Sequence, residues 1–210
     1  MTSNGFALPL AGEMSVSNER DDVLLRRAAK GDEGAFTALY RRHQASLYRY
    51  ALRMTGSPWA AEEIIQDVFM TLIRQPKKYD AEKGEVVAFL FGITRNRVMK
   101  HLERLPRELS LDPQTDSGVS NEPADLLTPA FWAERRERIE QVRDAVLSLP
   151  GEFREAVVLC ELEELSYEEA AKKSGCPIGT IRSRLHRGRA LLMARLELLR
   201  DTPRRASAGD

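Results

Sequence analysis

Gly175–Ala190 reads GCPIGTIRSRLHRGRA, and this stretch decides the fold. On a helical wheel Ile181, Leu185, Gly188 and Leu192 fall on one narrow stripe, the spacing of a buried helix face. Arg182, Ser183, His186, Arg187 and Arg189 spread over the opposite side, and Arg184 lies beside the stripe, where its stem packs on a core. A helix with one small apolar stripe and a cationic, hydrogen-bonding outer face suits a DNA major groove. The stretch therefore reads as the turn and second helix of a helix-turn-helix. Just upstream, Ser166-Tyr-Glu-Glu169 has the form of a capping box, with Ser166 as N-cap and Glu169 reaching back. Ala170 and Ala171 are small enough to let the paired helices approach.

Working outward, composition agrees with a helical protein. The chain has 210 residues, 42% hydrophobic and only 7% aromatic, enough for one large or two small globular domains. Its 32 basic and 32 acidic residues cancel, which excludes a uniformly basic nucleic-acid coat. The charge is segregated instead. Between Lys172 and Arg200 the basic residues face Glu197 alone, whereas between Glu152 and Glu169 the acids face Arg154 alone. Screening makes electrostatics local, so this asymmetry matters more than the sum. Cys160 and Cys176 form neither a disulfide framework nor a metal pattern. No apolar run has membrane-spanning length, and the expectation is a reduced, cytoplasmic protein without metal or cofactor. Cys160, among Val157, Val158, Leu159 and Leu162, reads as a buried small hydrophobe.

The expected architecture is all-α, two small helical domains joined by a flexible acidic linker. Residues 1–20 form an arm, with Met14 as an alternative start, and 21–108 form the first domain. There Asp22 caps a short helix, and a longer one carries Phe36, Leu39, Tyr40, His43, Leu47 and Tyr50. After Pro58 a third helix carries Ile64, Ile65, Val68, Phe69, Leu72 and Ile73. A fourth runs from about Val86 to Leu105. Residues 109–130 hold Asp112, Asp116, Glu122 and Asp125 without Lys or Arg and are interrupted by proline and glycine, the composition of a linker. Residues 131–200 form the second domain, with helices through Val142 and Val146, through Phe153 and Val157, and then the helix-turn-helix. Residues 201–210 are a tail.

Both blocks, in this order, resemble a bacterial extracytoplasmic-function sigma factor. Three motifs carry the resemblance: Ala61–Phe69 (AEEIIQDVF), Ala88–Asn96 (AFLFGITRN), and Leu165–Ala171 (LSYEEAA) followed by Gly179–Arg187 (GTIRSRLHR). The family implies two domains, regions 2 and 4, and no enzymatic activity. It implies core RNA polymerase, promoter DNA and an anti-sigma factor as partners. On the polymerase, the resemblance implies contacts with the clamp helices of the largest subunit and with the flap of the second subunit.

The site residues follow from the residues and the resemblance together. With Ile65, Phe69 and Leu72 turned to the core, Glu63, Gln66 and Asp67 are left on one exposed edge. The resemblance implies that this edge docks on polymerase. The fourth helix carries Arg95, Asn96, Arg97, Lys100 and Arg104, which can track phosphates while amides read base edges. The loop from Tyr79 to Val86 is, by resemblance, the one that captures a base flipped from the minus-10 strand. Tyr79, Asp80, Lys83, Arg95, Asn96 and Lys100 are the candidates for minus-10 contacts. Val86 and Phe89 stand where the family often has Phe and Trp, and Lys100 where it often has Asp. For the minus-35 duplex, Arg182 and Arg187 suit guanine or phosphate, Ser183 and His186 suit base edges or backbone, and Thr180 suits a phosphate at the helix start. The resemblance adds Tyr167 and Glu168. The alternative is a stand-alone helix-turn-helix regulator, which needs a dimer interface or sensor domain that the sequence does not display.

Overall fold

A computed structural model describes residues 19–82, 84–104 and 129–201. Lys83, most of the expected arm, nearly all of the expected linker and the tail from 202 onward lie outside them. Among the described residues all regular structure is helical. In chain order the elements are α1 (Asp21–Ala28), α2 (Glu33–Thr55), α3 (Pro58–Arg74), a 3-10 turn (Pro76–Lys78) and α4 (Val86–Arg104). Then come α5 (Pro129–Leu147), α6 (Gly151–Val157) running on as a π-helical turn (Val158–Leu162), α7 (Tyr167–Ser174) and α8 (Ile178–Asp201). Two compact units result. Described residues up to Ala51 group with Trp59–Arg97, and Leu52–Pro58 group with those from Val98 onward.

The first unit is built by apolar stripes meeting. Ile64, Ile65, Val68, Phe69 and Leu72 of α3 are buried with Leu39 and Leu47 of α2 and Leu90 of α4. Phe69 is the hub: its ring lies edge-on to Phe36 at 6.1 Å and tilted against Tyr40 at 4.9 Å. Aromatic pairs in such geometries add about 0.5–1.5 kcal/mol beyond their buried area. Two residues at core spacing stay at the rim, with Ile73 42% and Tyr40 39% exposed.

Capping corrects one expectation. Asp22 lies inside the first turn of α1 with Asp21, and the N-cap is Arg20, whose side chain makes no cap bond. Carboxylates in a first turn still complement the helix dipole. The cap of α2 is Asp32, which accepts from the Ala35 N–H at 3.0 Å and from Arg27 Nε at 2.9 Å. These bonds, the backbone one foremost, hold the Asp32 carboxyl below its ordinary range. His43 is buried, and its Nε2 lies 2.7 Å from the Asp21 carboxylate, a structural pairing between α2 and α1.

In the second unit α6, α7 and α8 share a core of Ala156, Val157, Leu159, Ala170, Ala171, Ile181 and Leu185. Burying a Leu or Ile side chain contributes about 1.5–3 kcal/mol, so Ile181 and Leu185 fix which face of α8 turns inward. The expected capping box is present: the Ser166 Oγ accepts from the Glu169 N–H at 3.2 Å, and the Glu169 carboxylate accepts from the Ser166 N–H at 2.9 Å. Gly175, at φ +64°, ends α7 in the left-handed conformation a glycine adopts without strain. Arg154 caps α5 from the next helix, donating to the carbonyls of Leu147 and Leu149, the latter at 3.0 Å. Val146 of α5 is buried, whereas Val142, one turn before it, is 43% exposed. Cys160, within the π-helical turn, is half-buried and not fully enclosed.

Candidate nucleic-acid interface

α8 is seated at Gly188. A Cβ there would lie 2.9 Å from Val157 Cγ2 and 3.2 Å from the Phe153 carbonyl oxygen, so the two helices touch backbone to side chain. With Ile181, Leu185 and Gly188 facing inward, Arg182, Ser183, His186 and Arg187 are all exposed along one side. The Ser183 hydroxyl donates to the Thr180 carbonyl at 3.0 Å in the first turns, and Thr180 is half-buried.

Tertiary structure brings the two helices of the motif together at one point. The Arg182 guanidinium sits 5.4 Å above the Tyr167 ring. Tyr167 opens α7, so an aromatic face holds the cation that begins the outer face of α8. Glu168, its neighbour, is exposed.

Two other basic residues of α8 are engaged elsewhere. Arg189 binds the Glu161 carboxylate through Nε at 3.0 Å and through Nη2. Arg184 reaches Glu152 at 3.0 Å with its side chain 25% exposed, as expected for a residue flanking the apolar stripe. Charge alone could not separate these from Arg182 and Arg187, because their acidic partners come from α6 and its π-helical continuation.

In the first unit Glu63, Gln66 and Asp67 are exposed on α3, opposite its buried stripe. Asp67 is not a solitary acid. It accepts from Arg97 Nη1 of α4 at 2.8 Å, and the two side chains are 52% and 43% exposed. Exposed pairs of this kind are worth about 0–1 kcal/mol, so Asp67 and Arg97 remain available to other partners. On α4 itself Asn96 and Lys100 are exposed, one turn apart, and Arg95 is half-buried.

The loop before α4 is built around Tyr79. Its ring packs 5.7 Å from that of Phe89, and its hydroxyl donates to the Gly84 carbonyl at 3.1 Å. Burial pushes its phenol upward. Asp80 accepts from the Glu82 N–H at 3.0 Å, so its carboxylate shapes the same turn. Tyr79 and Asp80 therefore hold the loop's conformation, and Val86 anchors its far end, 2% exposed. A cleft of about 470 Å³ opens beside the loop, lined by Tyr79, Glu85 and Val86 together with Arg20, Asp22 and Arg42. Arg20, Asp22 and Arg42 were not anticipated from sequence, because they arrive from α1, its preceding residue and α2. Lys83 lies outside the described residues.

Comparison with known proteins fits this geometry. Residues 39–108 match the Sigma-70 region 2 family and residues 139–192 match Sigma-70, region 4. The chain is 30% identical over 180 residues to the ECF RNA polymerase sigma factor SigC of Mycobacterium tuberculosis, covering 86% of this chain and 93% of that one. The chain belongs to the extracytoplasmic-function sigma factors.

A second sigma factor, SigE of Mycolicibacterium smegmatis, is 35% identical over 168 residues, which are 78% of this chain and 63% of that longer relative. Among solved structures, the sigma factor RpoE of Bartonella quintana in complex with the anti-sigma factor NepR is 26% identical with a TM-score of 0.52. The match covers 78% of this chain and 97% of that one. The region 2 match begins inside α2 and contains the α3 edge and the α4 face, and the region 4 match contains all of α6 and α7 and most of α8. Among the described residues of this sigma factor no cluster of metal-ligating side chains occurs, and no helix is long and apolar enough to cross a membrane.

Proposed function

We propose that this sigma factor docks on core RNA polymerase through the α3 edge of Glu63, Gln66 and Asp67. In that complex α8 reads the minus-35 duplex, while α4 and its preceding loop engage the opened minus-10 strand. The carrying observation is on α8: Ile181, Leu185 and Gly188 of its inward stripe are buried, and Arg182, Ser183, His186 and Arg187 stand exposed together beside Tyr167. A helix held in this way enters a major groove with its side chains already oriented.

On α4, Asn96 and Lys100 supply an amide for an unstacked base and a cation for the backbone, and Arg97 adds a second cation on release from Asp67. Unstacking a base costs a few kcal/mol, which edge hydrogen bonds and stacking recover. Tyr79 and Asp80 act by shaping the loop. Each unit presents only a small basic surface to DNA, so promoter affinity without polymerase is weak. The protein does no chemistry of its own; it supplies selectivity to the polymerase that does. By its likeness to the Bartonella quintana protein, an anti-sigma factor is its inhibitory partner.

Run-off transcription with purified core polymerase on a genomic promoter library tests the proposal. Discrete start sites that require the added chain support it. No transcripts from any template, combined with tight binding of the free chain to a palindrome, would establish a stand-alone regulator instead. Arg182→Ala relaxes selectivity at one minus-35 position if Arg182 reads a base, whereas a phosphate contact weakens all sequences alike and flattens the salt dependence.

A further inference from the structure

Among the described residues Trp59 is the most exposed of the large hydrophobic side chains, at 72%. It follows Pro58 in the first turn of α3. The packing of α3 explains its direction: Ala60, Ala61, Ile64, Ile65, Val68, Phe69 and Leu72 take every inward position. Position 59 is left on the same outward strip as Glu63, one turn further along, and then Gln66 and Asp67. Among the described residues no ring or cation packs against the indole. A fully presented tryptophan at the end of a polar strip has the composition of an interface anchor, since tryptophan is enriched where binding energy concentrates.

We propose that Trp59 is the apolar anchor of the polymerase-docking face, inserting into an apolar recess on core RNA polymerase beside the site that takes Glu63, Gln66 and Asp67. The occupant is argued from continuity. The indole and the acidic-amide edge share one rigid helix, so a partner that covers one covers the other. This assignment rests on the docking reading given above. The polar edge supplies orientation, and the indole supplies the desolvated contact that slows dissociation.

The test is the affinity of full-length protein for purified core polymerase, measured by competition with a labelled wild-type chain. Three variants are compared: Trp59→Ala, Trp59→Phe and Gln66→Lys/Asp67→Lys. Trp59→Ala is expected to weaken core binding by at least about tenfold, Trp59→Phe by clearly less, with unchanged thermal unfolding because the side chain is exposed. Unchanged core affinity of Trp59→Ala, while the double charge reversal abolishes binding, overturns the anchor and leaves the docking edge standing. Unchanged affinity in both rejects the edge itself. Loss of self-association in Trp59→Ala by sedimentation, with core affinity intact, would assign the indole to a second copy of this chain and also overturns the proposal.

Discussion

Gly188→Ala sets helix propensity against packing within one residue. By propensity alone, alanine in a helix interior is favoured over glycine by about 1 kcal/mol. The structure opposes this: the added methyl would lie 2.9 Å from Val157 Cγ2 and 3.2 Å from the Phe153 carbonyl oxygen. Neither neighbour yields easily. Val157 is buried and β-branched, with one strongly preferred rotamer in a helix, and the second atom is backbone. Overpacking costs about 1–3 kcal/mol, and two rigid neighbours place this site at the upper end. The net expectation is a loss of about 2 kcal/mol from the second unit, or a melting shift of about 10 °C for a domain of this size. The assay is thermal and urea unfolding of the full chain followed by circular dichroism, fitted as two transitions because two compact units are present. Gly179 in the same helix is the control, since a Cβ there meets nothing within 4 Å. Gly179→Ala is expected to be neutral or to stabilise by up to about 1 kcal/mol. If Gly188→Ala raised stability as Gly179→Ala does, the close approach of α8 to α6 would be refuted, and with it the placement of the outer face.

Tyr167→Leu removes the aromatic face under Arg182; an exposed cation–π contact is worth about 0.5–1 kcal/mol, so minus-35 affinity of the polymerase complex should fall about two- to fivefold. No change in promoter titrations, against a clear loss for Arg182→Ala, would show that the stack does not orient the cation. Arg154→Met should destabilise the second unit by about 2 kcal/mol, because the Leu147 and Leu149 carbonyls lose a charged donor. Burial lowers the Arg154 guanidinium to about 10, so it remains charged at neutral pH and the loss should be constant from pH 6 to 8 in urea titrations. The Glu169 carboxyl is held below its ordinary 4.5 by the Ser166 hydroxyl and N–H. Its stabilising effect is therefore complete above about pH 4.5 and is lost as pH falls through the lower folded value. Glu169→Gln should lack that part of the acid sensitivity, and parallel urea midpoints for both proteins between pH 5 and 3 would reject it.

What the sequence determined on its own is local and periodic. The spacing of Ile181, Leu185 and Gly188 assigned the inner face of α8, and Ser166 with Glu169 marked the start of α7, because both signals repeat within a turn or two of helix. The exposed edge of Glu63, Gln66 and Asp67 followed from the same periodicity. Such patterns decide which way a side chain points but not what it meets. Arg189 and Arg187 look alike in sequence, yet only Arg189 is tied to Glu161, 28 residues away. Asp67 finds Arg97 across 30 residues, and Arg182 finds the Tyr167 ring. Asp22 offered a cap, but the chain enters α1 two residues earlier than that reading assumed, and Arg20 became the N-cap. Tyr79 reads in the sequence as a residue for a flipped base; its contacts with Phe89 and the Gly84 carbonyl, which brace the loop, were not legible there. The tertiary fold decided these outcomes because an ion pair or ring contact depends on where a second helix passes, and helix position is set by the sum of buried contacts along its whole length.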